Sequence, residues 1–328
     1  ALNIAIPVYN FIHGTGLMLG MGGATKFSVC KSQGNQELVN RVFTNTIYLV
    51  VLFSIAFMLP GFFASRQLAF ALGADQAVLE MTITYLRLLL LFSPAFILND
   101  VLLCFVRNDA NPQLVMCAML IGSFSNVILD YIFIFPLDMG IFGAVFATGI
   151  SPVISILIMV PHWGKNKNSF HFVRTGICMR IVQSDLSLGF PSLISQISSG
   201  IVMITFNAII LKLEGNVGVA AYGIIANISL VVVAIYTGVA QGAQPLVSRF
   251  YGQGNRQQIQ AVLCYAIFTT LALSGILYTL IFAFAQPIAA IFNSECNAEL
   301  QEIAVTGLKL YFMSAPFVGY NIILTTFF

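Results

Sequence analysis

The segment Gly22-Gly23-Ala24-Thr25-Lys26-Phe27-Ser28-Val29-Cys30-Lys31-Ser32-Gln33-Gly34-Asn35 returns as Gly242-Ala243-Gln244-Pro245-Leu246-Val247-Ser248-Arg249-Phe250-Tyr251-Gly252-Gln253-Gly254-Asn255. The pattern Gly-x5-Ser-x4-Gln-Gly-Asn keeps one constant offset of 220 residues. Chance rarely preserves such a register. Downstream, Leu86-Arg87-Leu88 through Pro94 is echoed by Leu308-Lys309-Leu310 through Pro316 at an offset of 222, which requires only two extra loop residues. The chain is therefore built from two related halves.

Working outward, the surroundings of both copies are apolar. The chain is 59% hydrophobic and 8% charged, with a mean hydropathy of +0.92, too little charge to cover a water-soluble domain. Its apolar stretches reach the roughly 20 residues needed to cross about 30 Å of hydrocarbon, whereas barrel strands would alternate over about ten. Backbone groups in lipid must be satisfied internally, so the expected fold is an all-α, polytopic transmembrane helical bundle. Nine spans are read, at 1–23, 39–63, 82–106, 112–135, 140–161, 187–212, 217–241, 257–285 and 303–328.

Counting alternate sides, one set of loops carries Lys26, Lys31, Arg41, Arg107, Lys165, Lys167, Arg174, Arg180, Arg249 and Arg256, and the other only Arg66, Arg87, Lys212 and Lys309. The richer set is assigned to the cytoplasm by the positive-inside rule. The opposite loops hold Asp75, Glu80, Asp138, Glu214, Glu295, Glu299 and Glu302. The longest polar stretch, His162 to Asp185, reads as a cytoplasmic linker, giving an N-lobe at 1–161, a linker at 162–185 and a C-lobe at 186–328. An even number of spans separates the two motif copies, so the halves are expected to be parallel repeats about an axis along the membrane normal. Residue 1 lies inside a hydrophobic run and the chain stops inside another. One helix is expected to be missing at the start and about two at the end, nine of an original twelve being visible.

Several function classes are disfavoured. A net charge of +2 without a basic cluster argues against a nucleic-acid partner. The six cysteines show no CxxC or Cys/His metal spacing, and no structural disulfide is expected. HExxH and GxSxG are absent, and His13, His162 and His171 do not cluster at one membrane level, so the chain does not read as an enzyme.

The duplicated segment, Arg107-Asn108-Asp109-Ala110-Asn111-Pro112, Asn126-x3-Asp130 followed by Phe133-Ile134-Phe135, and Met139-Gly140-x2-Gly143-Ala144 together resemble the multidrug and toxic compound extrusion (MATE) family. The resemblance covers essentially the whole chain. It implies a twelve-helix exporter of the bacterial cytoplasmic membrane that exchanges inward Na+ or H+ for outward movement of amphipathic, often cationic, organic molecules. It further implies a monomer in contact with membrane lipid and no cofactor beyond the coupling ion. The Gly14/Gly16/Gly20/Gly22 stretch has the wrong spacing for a dinucleotide fingerprint, and GxxxG at Gly16/Gly20 and Gly238/Gly242 reads as close helix packing.

An ionised carboxylate in hydrocarbon costs several kcal/mol, so intramembrane acids are functional candidates, and only Asp100 and Asp130 qualify. Asn126 lies one helical turn from Asp130 on the same face. At about 1.5 Å per residue, Asp130 sits roughly 9 Å below the outer end of its span and Thr148 roughly 12 Å below the start of the next. The two are level on consecutive antiparallel helices. A carboxylate, an amide carbonyl and a hydroxyl are hard oxygen ligands for Na+, while the buried carboxylate alone could hold a proton. The resemblance agrees, since residues matching Asn126, Asp130 and Thr148 line the cation site in one branch of the family. A second reading stays open, in which Asp130 only ties two helices together.

Asn99 and Asp100 are further coupling candidates, though Asp100 could reach water or pair with Arg107 instead. His13 is either a titrating group or a hydrogen-bonded packing residue. Another family branch carries acids in its second lobe, and none occurs here between Leu186 and Lys212 or between Lys309 and Phe328, so coupling is expected in the first lobe. Gln196, Met203, Phe206, Asn207, Tyr222 and Asn227 are expected to line a cavity for flat cations. The rival function is a flippase of the same superfamily moving a lipid-linked oligosaccharide. That cargo would require basic residues in the cavity to meet its phosphates, and every basic residue here falls in or near a loop.

Overall fold

The computed structural model describes residues 2–72, 79–164, 168–293 and 297–327, without the side chains of 2–4, 163, 164, 203, 204, 207, 208 and 216. Asp75, Lys165, Lys167, Glu295 and Cys296 lie outside the described residues, as do the side chains of Met203 and Asn207. Among the described residues all regular structure is helical, and the described part of each of the nine expected spans is largely helix. Six helices are long and apolar enough to cross a membrane, and a pair bent by 45° makes a seventh.

The chain divides into two compact units, Ala1–Ser198 and Ser199–Phe328. The first contains α1 (Leu2–Ser32), α2 (Gln36–Phe63), α3 (Ser65–Ala71), α4 (Leu79–Leu91), α5 (Ser93–Asn108), α6 (Pro112–Ile134), α7 (Gly140–Met159), α8 (Pro161–Gly164) and the opening of α9 (Met179–Gly252). Within it α1 packs on α5 and α2, while α6 pairs with α7, which also reaches α4 and α5. The second unit contains the remainder of α9, broken at Gly215 (φ 62°, ψ −153°), then α10 (Arg256–Ala283), α11 (Ala285–Phe292), α12 (Ala298–Tyr311), a 3-10 turn at Phe312–Ser314 and α13 (Ala315–Phe327). The segment expected to link the lobes, 162–185, lies wholly within the first unit.

The duplicated motif has a physical explanation. In the first copy Gly34 adopts φ 75°, its N–H donates to Lys31 O at 3.0 Å, and the Asn35 N–H donates to Cys30 O at 3.2 Å. In the second, Gly254 adopts φ 69°, with Gly254 N to Tyr251 O and Asn255 N to Phe250 O both at 3.0 Å. These are Schellman closures of a helix, which need a left-handed residue at the turn. The following Asn opens the next helix, its Oδ1 accepting from Leu38 N at 3.1 Å or from Gln258 N at 3.2 Å. One helix end and one helix start are thus written into Gln-Gly-Asn, twice.

The correspondence extends beyond the motif. The spans α2 and α10 each hold 28 residues, and each is followed by a short helix, α3 or α11, and then by α4 or α12. Both halves next break their helix just before a proline: α4 gives way to α5 at Phe92 ahead of Pro94, and α12 to α13 through the 3-10 turn ahead of Pro316. Proline lacks the N–H for an interior helical bond and clashes with the preceding turn.

Glycines set the distance between helices in the first unit. A Cβ on Gly16 would stand 2.5 Å from Asp100 Oδ2, and one on Gly20 would stand 2.9 Å from Cys104 Sγ. The GxxxG pair is therefore the surface against which α5 seats, as small-residue packing predicts.

Candidate coupling and substrate sites

Asn126 and Asp130 stand on α6, and Thr148 on its packing partner α7. The two helices are fastened close by, where Ser151 Oγ donates to Gly122 O at 2.6 Å, one turn before Asn126. Asn126 Nδ2 and Asp130 Oδ1 are both buried and without a hydrogen-bond partner. Thr148 Oγ1 donates to Ala144 O of its own helix at 2.9 Å, which leaves its lone pairs for another donor or a cation. Unpaired polar atoms at such depth are costly, and the Asp130 oxygen is the one that a cation or a proton would satisfy, whereas the Asn126 Nδ2 donor calls for an acceptor.

A second acidic centre lies between α1 and α5. Asp100 Oδ2 is 2.8 Å from His13 Nδ1, and the carboxylate is nearly enclosed, 7% exposed. Tyr9, one turn earlier on α1, stacks on the His13 ring at 6.0 Å and meets Phe96 edge-on. Asp100 thus pairs with His13 rather than with Arg107, and His13 is not an isolated packing residue. The sequence could not reveal this, because the pair joins positions 87 residues apart. Tyr85 of α4 is within electrostatic reach of both Tyr9 and Asp130. Neighbouring Asn99 Oδ1 is buried and unpartnered.

The residues expected to line a cavity are distributed over both units. Gln196 belongs to the first, its Cβ lying 3.1 Å from where Gly14 would carry its own. In the second, Phe206 stacks on Tyr222 with centroids 5.7 Å apart and planes 12° apart. Tyr222 is buried and Phe206 exposed, so the pair offers an aromatic face. The Asn227 amide instead donates to Gly223 O at 2.9 Å and is engaged with its own helix.

Sequence reading missed a polar knot at the α5 C-terminus. Asp109 Oδ1 accepts from Lys31 Nζ, and Oδ2 accepts from the Ser169 amide at 2.7 Å and lies 2.9 Å from His162 Nε2. Burial opposes ionisation of Asp109, but the bonds from Lys31, Ser169 and His162 outweigh it and hold the carboxyl below its ordinary range. The motif containing Asp109 is visible in the sequence, but its partners come from three other segments.

The knot begins a strap. Ser169 O accepts from Gln36 Nε2, the His171 amide donates to Asn40 Oδ1 at 2.8 Å, the Val173 amide donates to Thr44 Oγ1 at 3.0 Å, and Thr175 O accepts from Tyr48 Oη at 3.1 Å. Positions 36, 40, 44 and 48 form one stripe along α2. The Cys178 amide then donates to Asn45 Oδ1 at 2.8 Å. What reads as a loose linker is bound along the first unit.

A repeated set of membrane-crossing helices, with buried acids among them, defines a multi-pass membrane transporter. The MatE family profile matches residues 1–132 and 191–328, and the chain belongs to that family. It is 26% identical over 331 residues to multidrug export protein MepA of Staphylococcus saprophyticus, covering 99% of this chain and 72% of the relative. MepA of Staphylococcus aureus strain MSSA476 is 25% identical over 327 residues, with the same coverage of 99% and 72%. Among solved structures, an outward-facing multidrug resistance MATE family transporter of the MOP superfamily superposes with a TM-score of 0.87 at 23% identity, over 99% of this chain and 75% of the other. A MOP superfamily transporter from Pyrococcus furiosus, described as having reversed binding-pocket polarity, gives 0.87 at 24% identity with coverage of 99% and 75%. At those identities the structures speak for the fold.

Proposed function

We propose that the protein exports amphipathic, often cationic, organic compounds by alternating access, driven by inward movement of H+ or Na+, with Asp130 as the coupling residue. The observation that carries this reading is the buried, unpartnered carboxylate oxygen Asp130 Oδ1 on α6, which packs against the helix bearing Thr148. Asn126 and Thr148 carry neutral oxygens on the same two packed helices as the Asp130 carboxylate, a donor set suited to Na+, and the carboxylate alone accepts a proton. A bound cation relieves the cost of the buried charge, so occupancy biases the conformational equilibrium. Membership of the MatE family and likeness to proteins named multidrug export protein support the substrate class, and the Phe206–Tyr222 stack provides a face for a flat cation.

The test is efflux by the full-length transporter in proteoliposomes under imposed Na+ or H+ gradients. Asp130→Asn keeps the size of the side chain and removes its charge. It is expected to abolish gradient-driven export while retaining substrate binding, and Asn126→Ala and Thr148→Ala should reduce coupling less. Wild-type export with unchanged ion dependence in Asp130→Asn would make the residue structural and turn attention to Asp100. Stronger binding of anionic lipid pyrophosphates than of cationic dyes would replace the exporter reading with a flippase.

A further inference from the structure

The opening of α9 lies against α1 with no space between the backbones. A Cβ on Gly22 would fall 1.9 Å from Asp185 O, and one on Gly189 would fall 1.8 Å from Met18 O. Inside this junction Asp185 is 0% exposed. Its Oδ2 is 2.7 Å from Thr46 Oγ1 of α2, and its Oδ1 is buried with no hydrogen-bond partner. The strap along α2 delivers the chain to this point, and the glycine contact closes it to water.

Full burial with Oδ1 unpartnered favours the protonated form of Asp185, and the Thr46 hydroxyl can accommodate it. It has one hydrogen and two acceptors in range, Val42 O at 3.0 Å and Asp185 Oδ2 at 2.7 Å. Both contacts are fully satisfied when the Asp185 carboxyl carries a proton, donates it to Thr46 Oγ1, and Thr46 donates to Val42 O. An ionised Asp185 would leave one contact unmade and a bare charge on the unpartnered Oδ1. Around it, α1 brings Lys26 and Cys30 within electrostatic reach and α2 brings Thr46, while Arg180 stands earlier on α9. Lys26 Nζ is directed to Arg180 O at 3.5 Å rather than to the carboxyl. Burial, offset in part by Thr46 and Lys26, pushes Asp185 up to about 7.

We propose that Asp185 is a proton-binding site, separate from Asp130, that holds the opening of α9 against α1 and α2 and releases its proton when α9 lifts and water enters. A proton that binds the packed junction more tightly than the parted one stabilises the packed form, and packing in turn raises proton affinity. The site lies at the end that the basic-residue asymmetry assigns to the cytoplasm, so cytoplasmic acidity would favour the packed junction.

The test is the melting temperature of the full-length, detergent-solubilised transporter between pH 5 and pH 8.5. The packed state binds the extra proton, so stability falls as pH rises from the ordinary aspartate value of 3.8 toward about 7. Wild type should lose melting temperature across that window, whereas Asp185→Asn should lose markedly less and melt above wild type at pH 8. A wild-type slope retained in Asp185→Asn overturns the proposal. The slope should persist in Asp130→Asn, whose efflux tests only the coupling reading, so either idea can fail alone. If Asp185→Asn does not fold, infrared spectroscopy of an Asp100→Asn, Asp130→Asn double variant decides. A protonated-carboxyl band present at pH 6 and lost at pH 9 supports the site, and its absence at pH 6 overturns it.

Discussion

A carboxylate at a helix C-terminus faces the negative end of the helix dipole, yet Asp109 occupies that position on α5. Lys31, His162 and the Ser169 amide reverse the balance and join the ends of α1 and α5 to the strap. Removing the acid leaves His162, itself almost fully buried, and the Ser169 amide without their acceptor. Asp109→Ala is therefore expected to destabilise the full-length protein by about 3 kcal/mol, measured by denaturation in detergent. Because its folded-state pKa is depressed, the stabilisation from Asp109 is fully present above the ordinary value of 3.8 and is lost as pH falls below it. At the same scale, Asn126 and Asp130 were legible because a spacing of four places two residues on one helical face. The pairs Asp100–His13 and Asp185–Thr46 were not, since each depends on which helices meet.

Between elements, the three Schellman turns form an internal experiment. Gly34 and Gly254 carry the left-handed conformation without penalty, while Ala110 adopts φ 63° with the same closure, Asn111 N to Val106 O at 3.2 Å. Nothing lies within 4 Å of a Cβ built on Gly34 or Gly254, so Gly34→Ala and Gly254→Ala test backbone conformation alone and should each cost about 1 kcal/mol. Ala110→Gly should be neutral or stabilising by up to about 1 kcal/mol, the opposite sign, read as a shift in melting temperature. The strap has its own geometric basis. Two extended residues advance about 6.6 Å and four helical residues about 6.0 Å, so alternate strap residues meet every fourth residue of α2. The His171, Val173 and Cys178 amides should resist hydrogen exchange, and Thr44→Val should release Val173 selectively. Uniformly fast exchange across 168–178 would contradict the ladder.

For the molecule as a whole, the membrane is the solvent of the outward-facing side chains. Phe268, near the middle of α10, is 74% exposed, as expected of a side chain meant for lipid. Phe268→Arg should cost about 3 kcal/mol of insertion free energy and lower the amount of protein recovered in membranes. Full recovery would mean that this face is covered or wet. By itself, the sequence determined the solvent, the helical class, the spans and the duplication, because apolar length, charge asymmetry and turn chemistry are local quantities. The Gln-Gly-Asn repeat was readable for the same reason, since its hydrogen bonds close within a few residues. Only the tertiary structure decided that Asp100 meets His13, that the linker is bound to α2, and that Asp185 is sealed behind Gly22 and Gly189. Each joins residues far apart in the chain, and the energy of a buried charge depends on what surrounds it in space.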